Sequence, residues 1–196
     1  MEDTLLIGDF LFATKFDYGL KIPFTNIFIT RWRMPKRGEL VIFKSPIEWR
    51  TLVKRCIALP GDVVEIKNKV LYVNGKKLDE PYVKHTDSRI FPGIKMPSFA
   101  YQKEWEERHF VYYTSSKGNP RDNFGPIRVP PGCIFVLGDN RDYSFDSRFW
   151  GPLPLSHLLG RPLIIWWSWD GTIPLWRVID KIKSIRWKRI FKIVRQ

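Results

Sequence analysis

Lys54 is the side chain of this sequence best suited to proton transfer, because it lies within an apolar, strand-like run. If residues 51–59 form a strand, Lys54 shares a face with Leu52 and Cys56. Burial disfavours the ammonium form and lowers its pKa from about 10.4, towards values at which a neutral amine is a useful general base. Such an amine can take the proton of a serine hydroxyl. An ordinary strand lysine points to solvent, and the spacing alone leaves that alternative open.

A second candidate is the polar segment 138–151, which holds three Asp, two Arg, one Asn and two Ser within fourteen residues. It follows the apolar run 133–137, which is rich in β-branched and aromatic residues and is entered from a Pro-Pro-Gly turn. That pattern predicts a buried strand, so the polar cluster begins where a core strand ends. Charged groups are costly to bury unless they pair, and we therefore expect Asp–Arg ion pairs there.

These segments resemble the characteristic blocks of type I signal (leader) peptidases, membrane-bound Ser–Lys endopeptidases that remove signal peptides from exported proteins. Four blocks occur in the family's order, at 1–9, 37–44, 53–62 and 138–151. The resemblance implies a serine-type endopeptidase, signal peptidase I, that needs no metal or cofactor. It implies signal peptides of exported preproteins as substrates and a membrane lipid surface as a partner. It also implies a place at the bacterial cytoplasmic (inner) membrane, with the catalytic domain on the outer, periplasmic face.

The resemblance assigns roles to individual residues. Lys54 is implied as the general base, and Ser144 hydrogen-bonds its amine and orients it. That role suits a neutral base, because a hydroxyl partner adds no formal charge. Two structural ion pairs are also implied: Asp139 with Arg55, and Asp146 with Arg148.

The resemblance further implies shallow apolar pockets that accept small substrate side chains. The candidates for the walls of these pockets are Leu5, Ile42, Leu52 and Val53. Each of them could equally be an ordinary core residue. Within 138–151, we expect Arg141, Asp142 and Ser147 to be scaffold residues.

The sequence departs from the family pattern at its start. The first block matches from its methionine onward, and the family's nucleophilic serine is expected immediately before Met1. An oxyanion-hole serine is expected two residues further upstream, and no other serine of the chain fits the pattern. We therefore expect the chain as written to be a truncated form that lacks the nucleophile and the N-terminal anchor, and to be inactive as a peptidase. A short, noncatalytic relative is the alternative.

The rest of the sequence predicts a mainly β architecture of short strands broken by Pro and Gly. Helical periodicity is nearly absent. Residues 80–128 show no sustained pattern, yet so long a structureless loop is improbable in a compact domain. We expect a small inserted β-subdomain at 80–128. The catalytic β core, a signal-peptidase-like coiled β-sheet or β-barrel, then comprises 1–79 and 129–196.

The charge and the aromatic content indicate which classes of binding partner the protein favours. The formal net charge of +13 favours nucleic acid or anionic lipid, and nine Trp favour a membrane interface, although a Trp-rich core is the alternative. Mixed acids and bases at 138–151, without an aromatic–basic stacking motif, argue against nucleic acid. A noncatalytic basic β-domain that binds a membrane surface or nucleic acid is the alternative function.

The basic tail, residues 176–196, carries eight Lys or Arg against one Asp. Apolar residues at 175, 178, 179 and 182 suit one helical face. The tail therefore predicts either a membrane-surface element or an element that closes the sheet with a solvated basic face.

The cysteines and histidines predict no metal centre. Cys56 and Cys133 could form one disulfide or remain buried thiols, and no Cys/His ligand spacing is present. The sequence contains no run of 18 apolar residues, so we expect no transmembrane helix within it.

Overall fold

The computed structural model of the chain describes residues 5–14, 17–21, 28–30, 33–112, 118–174 and 176–194. Within them, short antiparallel strands dominate, and the mainly β fold class expected from the sequence is confirmed. The strands are β1 (Asp9–Thr14), β2 (Leu20–Lys21), β3 (Phe28–Thr30), β4 (Leu40–Lys44), β5 (Thr51–Ala58), β6 (Val63–Lys67), β7 (Val70–Val73), β8 (Lys76–Lys77), β9 (Phe124–Arg128), β10 (Cys133–Leu137), β11 (Leu153–Pro154), β12 (Leu158–Ser168) and β13 (Lys192–Ile193).

Helices are short in the described part of the chain. The α-helices are α1 (Ser98–Glu106), α2 (Ser147–Trp150) and α3 (Val178–Lys183). Single 3-10 turns occupy His109–Tyr112, Leu155–His157 and Trp187–Arg189.

The larger sheet places β5 at its centre. Its strand order is β1-β12-β4-β5-β10-β11, with β13 added to β12, while a smaller sheet has the order β8-β7-β6-β9. Strands β4 and β5 form a hairpin whose register runs from Leu40 opposite Arg55 to Lys44 opposite Thr51. Strand β10 pairs with the other edge of β5, but only from Arg55 onward. The first half of β5 therefore has a strand neighbour on one side alone among the described residues.

Two apolar clusters fix β5 from its two faces. Cys56 packs with Val41 and Phe43 in one cluster, and Ile57 packs with Phe135 in the other. Both faces of the C-terminal half of β5 are therefore buried. Burying each such side chain stabilises the fold by about 1.5–3 kcal/mol, which holds the strand rigid where Lys54 must be positioned.

The helix α1 is a feature that the sequence analysis missed. Only Tyr101 and Trp105, four residues apart, are buried on it, so the apolar stripe is too sparse for a helical period to be recognised. In the described part of 80–128, the single strand β9 pairs with β6. The smaller sheet thus takes strands from both sides of residue 80. The proposed boundaries of an inserted subdomain, residues 80 and 128, remain a prediction.

The described part of the basic tail adds a strand to the larger sheet, and its role as a membrane-surface element remains a prediction. Strand β13 pairs with β12 and so extends the larger sheet. Helix α3, however, turns its apolar side outward: Val178, Ile179 and Ile182 are all exposed, whereas Lys181 is buried. Lys181 Nζ donates hydrogen bonds to the carbonyl oxygens of residues 170 and 173, each at 2.7 Å, and these bonds hold the helix in that orientation.

Both cysteines are free thiols, so the possible Cys56–Cys133 disulfide is not formed. Burial raises the pKa of Cys56 to about 12, which makes its thiolate scarce at neutral pH. Among the described residues, no helix has the length and apolar character to cross a membrane. The same residues hold no group of three or more His, Cys, Asp or Glu side chains arranged around a common metal position.

Candidate active site

Lys54 lies on β5 just before the point where β10 joins it. On the edge of β5 that pairs with β4, Lys54 is opposite Val41. The first residue of β5 that β10 covers is Arg55, opposite Leu137. Lys54 is half-buried, and burial lowers the pKa of its ammonium below the ordinary value. The charges of Asp146 and Asp139 oppose that shift, while the charge of Arg148 reinforces it.

Ser144 is hydrogen-bonded to the lysine amine. Lys54 Nζ lies 2.8 Å from Ser144 Oγ, although the two residues are 90 positions apart in the chain. Ser144 belongs to the turn that connects β10 to α2. The turn therefore brings a neutral hydroxyl to the amine, and the structure unites the two residues that the sequence analysis paired.

Gly138 makes this approach possible, and the sequence analysis did not single it out. A Cβ atom at residue 138 would lie 2.3 Å from Ser144 Oγ and 3.3 Å from Lys54 Nζ. No side chain can be accommodated at the first distance without displacing the serine. The glycine that starts the polar segment was the available signal, because a glycine directly after a buried strand often marks a close approach of other atoms.

Asp146 and Arg148 form a fully buried ion pair at the start of α2. Arg148 Nε lies 2.8 Å from Asp146 Oδ1, and Arg148 Nη2 lies 2.9 Å from Asp146 Oδ2. Burial alone would raise the pKa of Asp146, but the charge and hydrogen bonds of Arg148, the charge of Lys54 and a hydrogen bond with Ser144 lower it. The Asp146 carboxylate also accepts a hydrogen bond from the Gly138 amide at 3.2 Å. It therefore ties both ends of the Ser144 turn together.

Arg55 and Asp139 form the second expected ion pair, which is also buried. Arg55 donates two hydrogen bonds to the Asp139 carboxylate, at 2.9 and 2.8 Å. Its third contact is a 2.6 Å hydrogen bond to the Gly38 carbonyl. The ring of Tyr82 covers the guanidinium, with 3.8 Å between the Arg55 Cζ atom and the ring centroid. This pair joins β5 to the residue that follows Gly138.

Residues 80–87 run along the outer side of the same turn. Arg141 forms two hydrogen bonds with Glu80, at 3.0 and 2.5 Å. The buried Asp142 carboxylate accepts hydrogen bonds from the amides of Thr86 and Asp87, at 2.7 and 2.8 Å, and from Lys69 Nζ at 3.1 Å. Burial would raise the pKa of Asp142, but these bonds and one from His85 lower it to about 2. Arg141 and Asp142 thus connect the turn to its surroundings.

Ser147 lies away from the amine. Its hydroxyl accepts a 3.1 Å hydrogen bond from the Val136 amide and is buried. Asp142, Arg141 and Ser147 all make such scaffold contacts, while Tyr143 is 74% exposed.

The candidate pocket residues divide between the two faces of the sheet. Ile42 and Val53 are directly opposite each other on neighbouring strands, and the alternation of β4 places them on the same face as Leu40. Leu5 packs against the cluster that contains Leu40, so three of the four candidates share one side. Leu52 lies on the other face, with Lys54, against the Cys56 cluster.

The edge of β5 beside Lys54 is open. Strand β4 pairs with residues 51–55, whereas on the opposite side β10 pairs only with Arg55 and residues beyond it. In the described residues, nothing pairs with that side of residues 51–54. Unpaired backbone groups on a sheet edge can accept an extended peptide as an added strand. The proposed nucleophile position falls before Met1, and residues 1–4 lie outside the described residues.

Comparisons with known proteins converge on one family. A family model described as "Signal peptidase, peptidase S26" matches residues 1–167. Signal peptidase I of Buchnera aphidicola subsp. Schizaphis graminum is 34% identical over 223 residues, which cover 94% of this chain and 70% of that protein. Signal peptidase I of Rickettsia typhi is 33% identical over 216 residues, covering 98% and 81%. A solved signal peptidase I from Enterococcus faecalis V583 is 28% identical, with 66% of this chain and 97% of that chain covered and a TM-score of 0.44.

Proposed function

Because the chain belongs to the signal peptidase family, peptidase S26, we propose that it removes signal peptides from exported preproteins with Lys54 as the general base. The observation that carries the role of Lys54 is its 2.8 Å contact with Ser144 at the open edge of β5. Burial, which lowers the pKa of the amine, makes the neutral form accessible. A serine-type endopeptidase is the activity that the family gives, and the lysine supplies the base that such an enzyme needs.

The catalytic cycle follows from a neutral lysine. A serine directly before Met1 attacks the scissile carbonyl, and Lys54 takes the proton of its hydroxyl. Hydrogen-bond donors near that serine stabilise the oxyanion. The Lys54 ammonium then protonates the departing amine, which releases the mature protein and leaves an acyl-enzyme. Water hydrolyses the acyl-enzyme, again with Lys54 as base, and no metal or cofactor takes part in these steps.

Ser144 and the two ion pairs are positioning residues in this proposal. Ser144 accepts a hydrogen bond from the lysine amine and so restricts its rotation without adding charge. The Asp146–Arg148 pair holds the turn that carries Ser144, and the Arg55–Asp139 pair joins that turn to β5. Breaking one member of such a buried pair leaves an uncompensated charge, which costs about 3–5 kcal/mol.

The substrate is proposed to bind as an added strand along residues 51–54 of β5. Backbone hydrogen bonds would supply much of the affinity, and alternate side chains would enter pockets. Small residues before the scissile bond suit walls made by Leu5, Ile42 and Val53, which share one face of the sheet. Leu52, on the face of Lys54, is better placed to restrict the amine than to share their pocket.

A membrane lipid surface is the proposed second partner. The rings of Phe10, Trp166, Trp167, Trp169 and Trp187 form a continuous chain of contacts, with neighbouring centroids 5.5 to 6.4 Å apart. Several of these rings are exposed, and Trp187 is 69% exposed.

Helix α3 contacts these rings through Lys181, whose Nζ lies 4.8 Å from the Trp169 ring centroid, and its exposed apolar side chains add to the apolar surface. Exposed lysines occur in the same segment: Lys183, Lys188 and Lys192. Aromatic rings mixed with cations favour the interface of an anionic bilayer. We propose that this aromatic–basic surface, formed by the five rings above and by residues 178–192, places the enzyme on the outer face of the bacterial cytoplasmic membrane.

The test is cleavage of a synthetic signal-peptide substrate. The protein with a serine directly before Met1 is expected to cleave it, whereas the same protein with alanine at that position is expected to be inactive. In the serine-extended protein, Lys54→Ala should lower kcat/KM by roughly 10²–10⁴-fold. Lys67→Ala, which removes an exposed strand lysine, is the matched control and should leave activity unchanged. Activity that survives Lys54→Ala would refute the assignment.

A further inference from the structure

The loop that joins β4 to β5, residues 45–50, projects a fully exposed indole. Trp49 has a relative accessibility of 107%, and Ile47 beside it is 37% exposed. The loop is nonetheless well anchored. The hydroxyl of the buried Ser45 accepts hydrogen bonds from the amides of Ile47 and Glu48, and the Ser45 amide donates to the Arg50 carbonyl at 2.8 Å. A hydrogen-bonded loop that holds a large apolar group in water has the character of a binding surface.

The same loop borders a cavity of about 420 Å³. Residues 44–51 and His157 line it, and His157 Nδ1 lies 3.0 Å from the Lys44 carbonyl oxygen. Ligand pockets in proteins start at about 300 Å³, so the cavity can hold several side chains of a bound peptide.

The position of the loop relates it to the open edge of β5. Trp49 precedes Lys54 by five residues, and Thr51 directly follows the loop. Only Thr51 to Lys54 is extended strand, and at about 3.3 Å per residue these three steps span about 10 Å. A substrate strand along the open edge advances by the same rise. The loop is therefore reached about three to four residues away from the scissile bond.

The chemistry at the two ends of the open edge gives the direction of the substrate. At one end lies the polar turn that carries Ser144 and its buried ion pairs. At the other lies the loop with the exposed apolar side chains of Ile47 and Trp49, beside an exposed Glu48–Arg50 ion pair. A signal peptide ends with a small-residue motif at the cleavage site, and an apolar segment of 7–15 residues precedes that motif. The apolar segment of the signal peptide therefore lies at the end of the open edge next to loop 45–50. The part of the substrate that becomes the mature protein lies at the end next to the Ser144 turn.

We propose that loop 45–50 is a binding site for the apolar segment of the signal peptide, with Trp49 and Ile47 as its contact residues. This inference rests on the proposed function. It adds a second recognised feature of the substrate, the apolar segment, to the small-residue motif at the cleavage site. Trp49 packs against the bound apolar side chains and contributes to binding but not to the chemical steps.

The test is binding of two peptides whose scissile amide is replaced by an uncleavable reduced bond, so the chain as written can be used. The short peptide carries the small-residue motif and three flanking residues, and the long peptide adds six leucines upstream. Fluorescence anisotropy of labelled peptides, without detergent or lipid, gives each Kd. Trp49→Ala should weaken binding of the long peptide by about tenfold or more and leave the short peptide unchanged. Trp176→Ala removes another exposed indole, 83% accessible and outside the loop, and should change neither Kd.

Three results would overturn the proposal, and they are distinguishable. If Trp49→Ala leaves the long-peptide Kd unchanged while both peptides bind, the loop site is refuted and the proposed function stands. If Trp49→Ala lowers binding to anionic vesicles but not to the long peptide, the indole contacts lipid instead of substrate. If the wild-type chain binds neither peptide, the proposed function fails together with the loop site.

Discussion

The substitution Gly138→Ala is expected to disable the enzyme through one added methyl group. The new Cβ atom would lie 2.3 Å from Ser144 Oγ and 2.7 Å from Ser144 Cβ, whereas ordinary contacts begin at 3.4 Å. The serine must therefore retreat by roughly 1 Å, which disrupts its 2.8 Å hydrogen bond with Lys54 Nζ. A hydrogen bond that involves an ionisable amine contributes about 1.5–3 kcal/mol, so kcat/KM should fall by roughly 10- to 150-fold.

The assay compares Gly138→Ala with Gly132→Ala in the serine-extended protein on one signal-peptide substrate. Gly132 lies in the turn before β10 with a φ of +74°, and no atom lies within 4 Å of its added Cβ. That variant carries backbone strain without a contact at the site, so it should lose stability but retain kcat/KM. The reasoning is refuted if Gly138→Ala keeps kcat/KM within about twofold while its melting temperature is unchanged.

Two further predictions concern charge and the membrane. Lys54→Met should be more stable to urea than the wild type at neutral pH. Because burial lowers the pKa of Lys54, the folded state binds fewer protons than the unfolded state between the two pKa values, so wild-type stability rises with pH there. The advantage of Lys54→Met is therefore largest below the folded pKa and fades as pH passes the ordinary lysine pKa; an advantage that grows with pH would contradict this sign. In vesicle sedimentation, Ile179→Asp should weaken binding to anionic vesicles by about tenfold. Ile90→Asp, at an exposed position outside the aromatic–basic surface, should have no effect, and equal losses in both variants would contradict the assignment of that surface.

Part of the chemistry of the site was predictable from local pattern: Lys54 is recognisable as a lysine within an apolar strand, and the segment around Ser144 is dense with Asp and Arg. The role of Ser144 beside Lys54 and the partners within each ion pair came from the family resemblance. The contact between Lys54 and Ser144 spans 90 positions and depends on how β5 and β10 pair, which no local pattern encodes. The role of Gly138 could not be predicted for the same reason, because Ser144 approaches Gly138 only after the turn has folded over the strand.

The helices show where local pattern and tertiary packing diverge. Helix α1 buries only Tyr101 and Trp105, and its first residue follows Pro97 without a side-chain cap, so the sequence gives little helical signal. Helix α3 is the converse case. Its apolar positions were readable as one helical face; residue 175 lies outside the described residues, and the other three are exposed because Lys181 is the residue that docks. Periodicity predicts which residues share a face, and tertiary contacts decide whether that face is buried.

The assignment of Lys54 as a general base is tested most directly by titrating its amine in the folded chain. Lysines labelled at the ε carbon report their protonation by NMR, and Lys54→Met identifies the resonance by its absence. We predict a midpoint below the ordinary value of about 10.4, and we predict that Gly138→Ala alters it while Gly132→Ala does not. A Lys54 amine that titrates at the ordinary value would contradict a neutral base at this site.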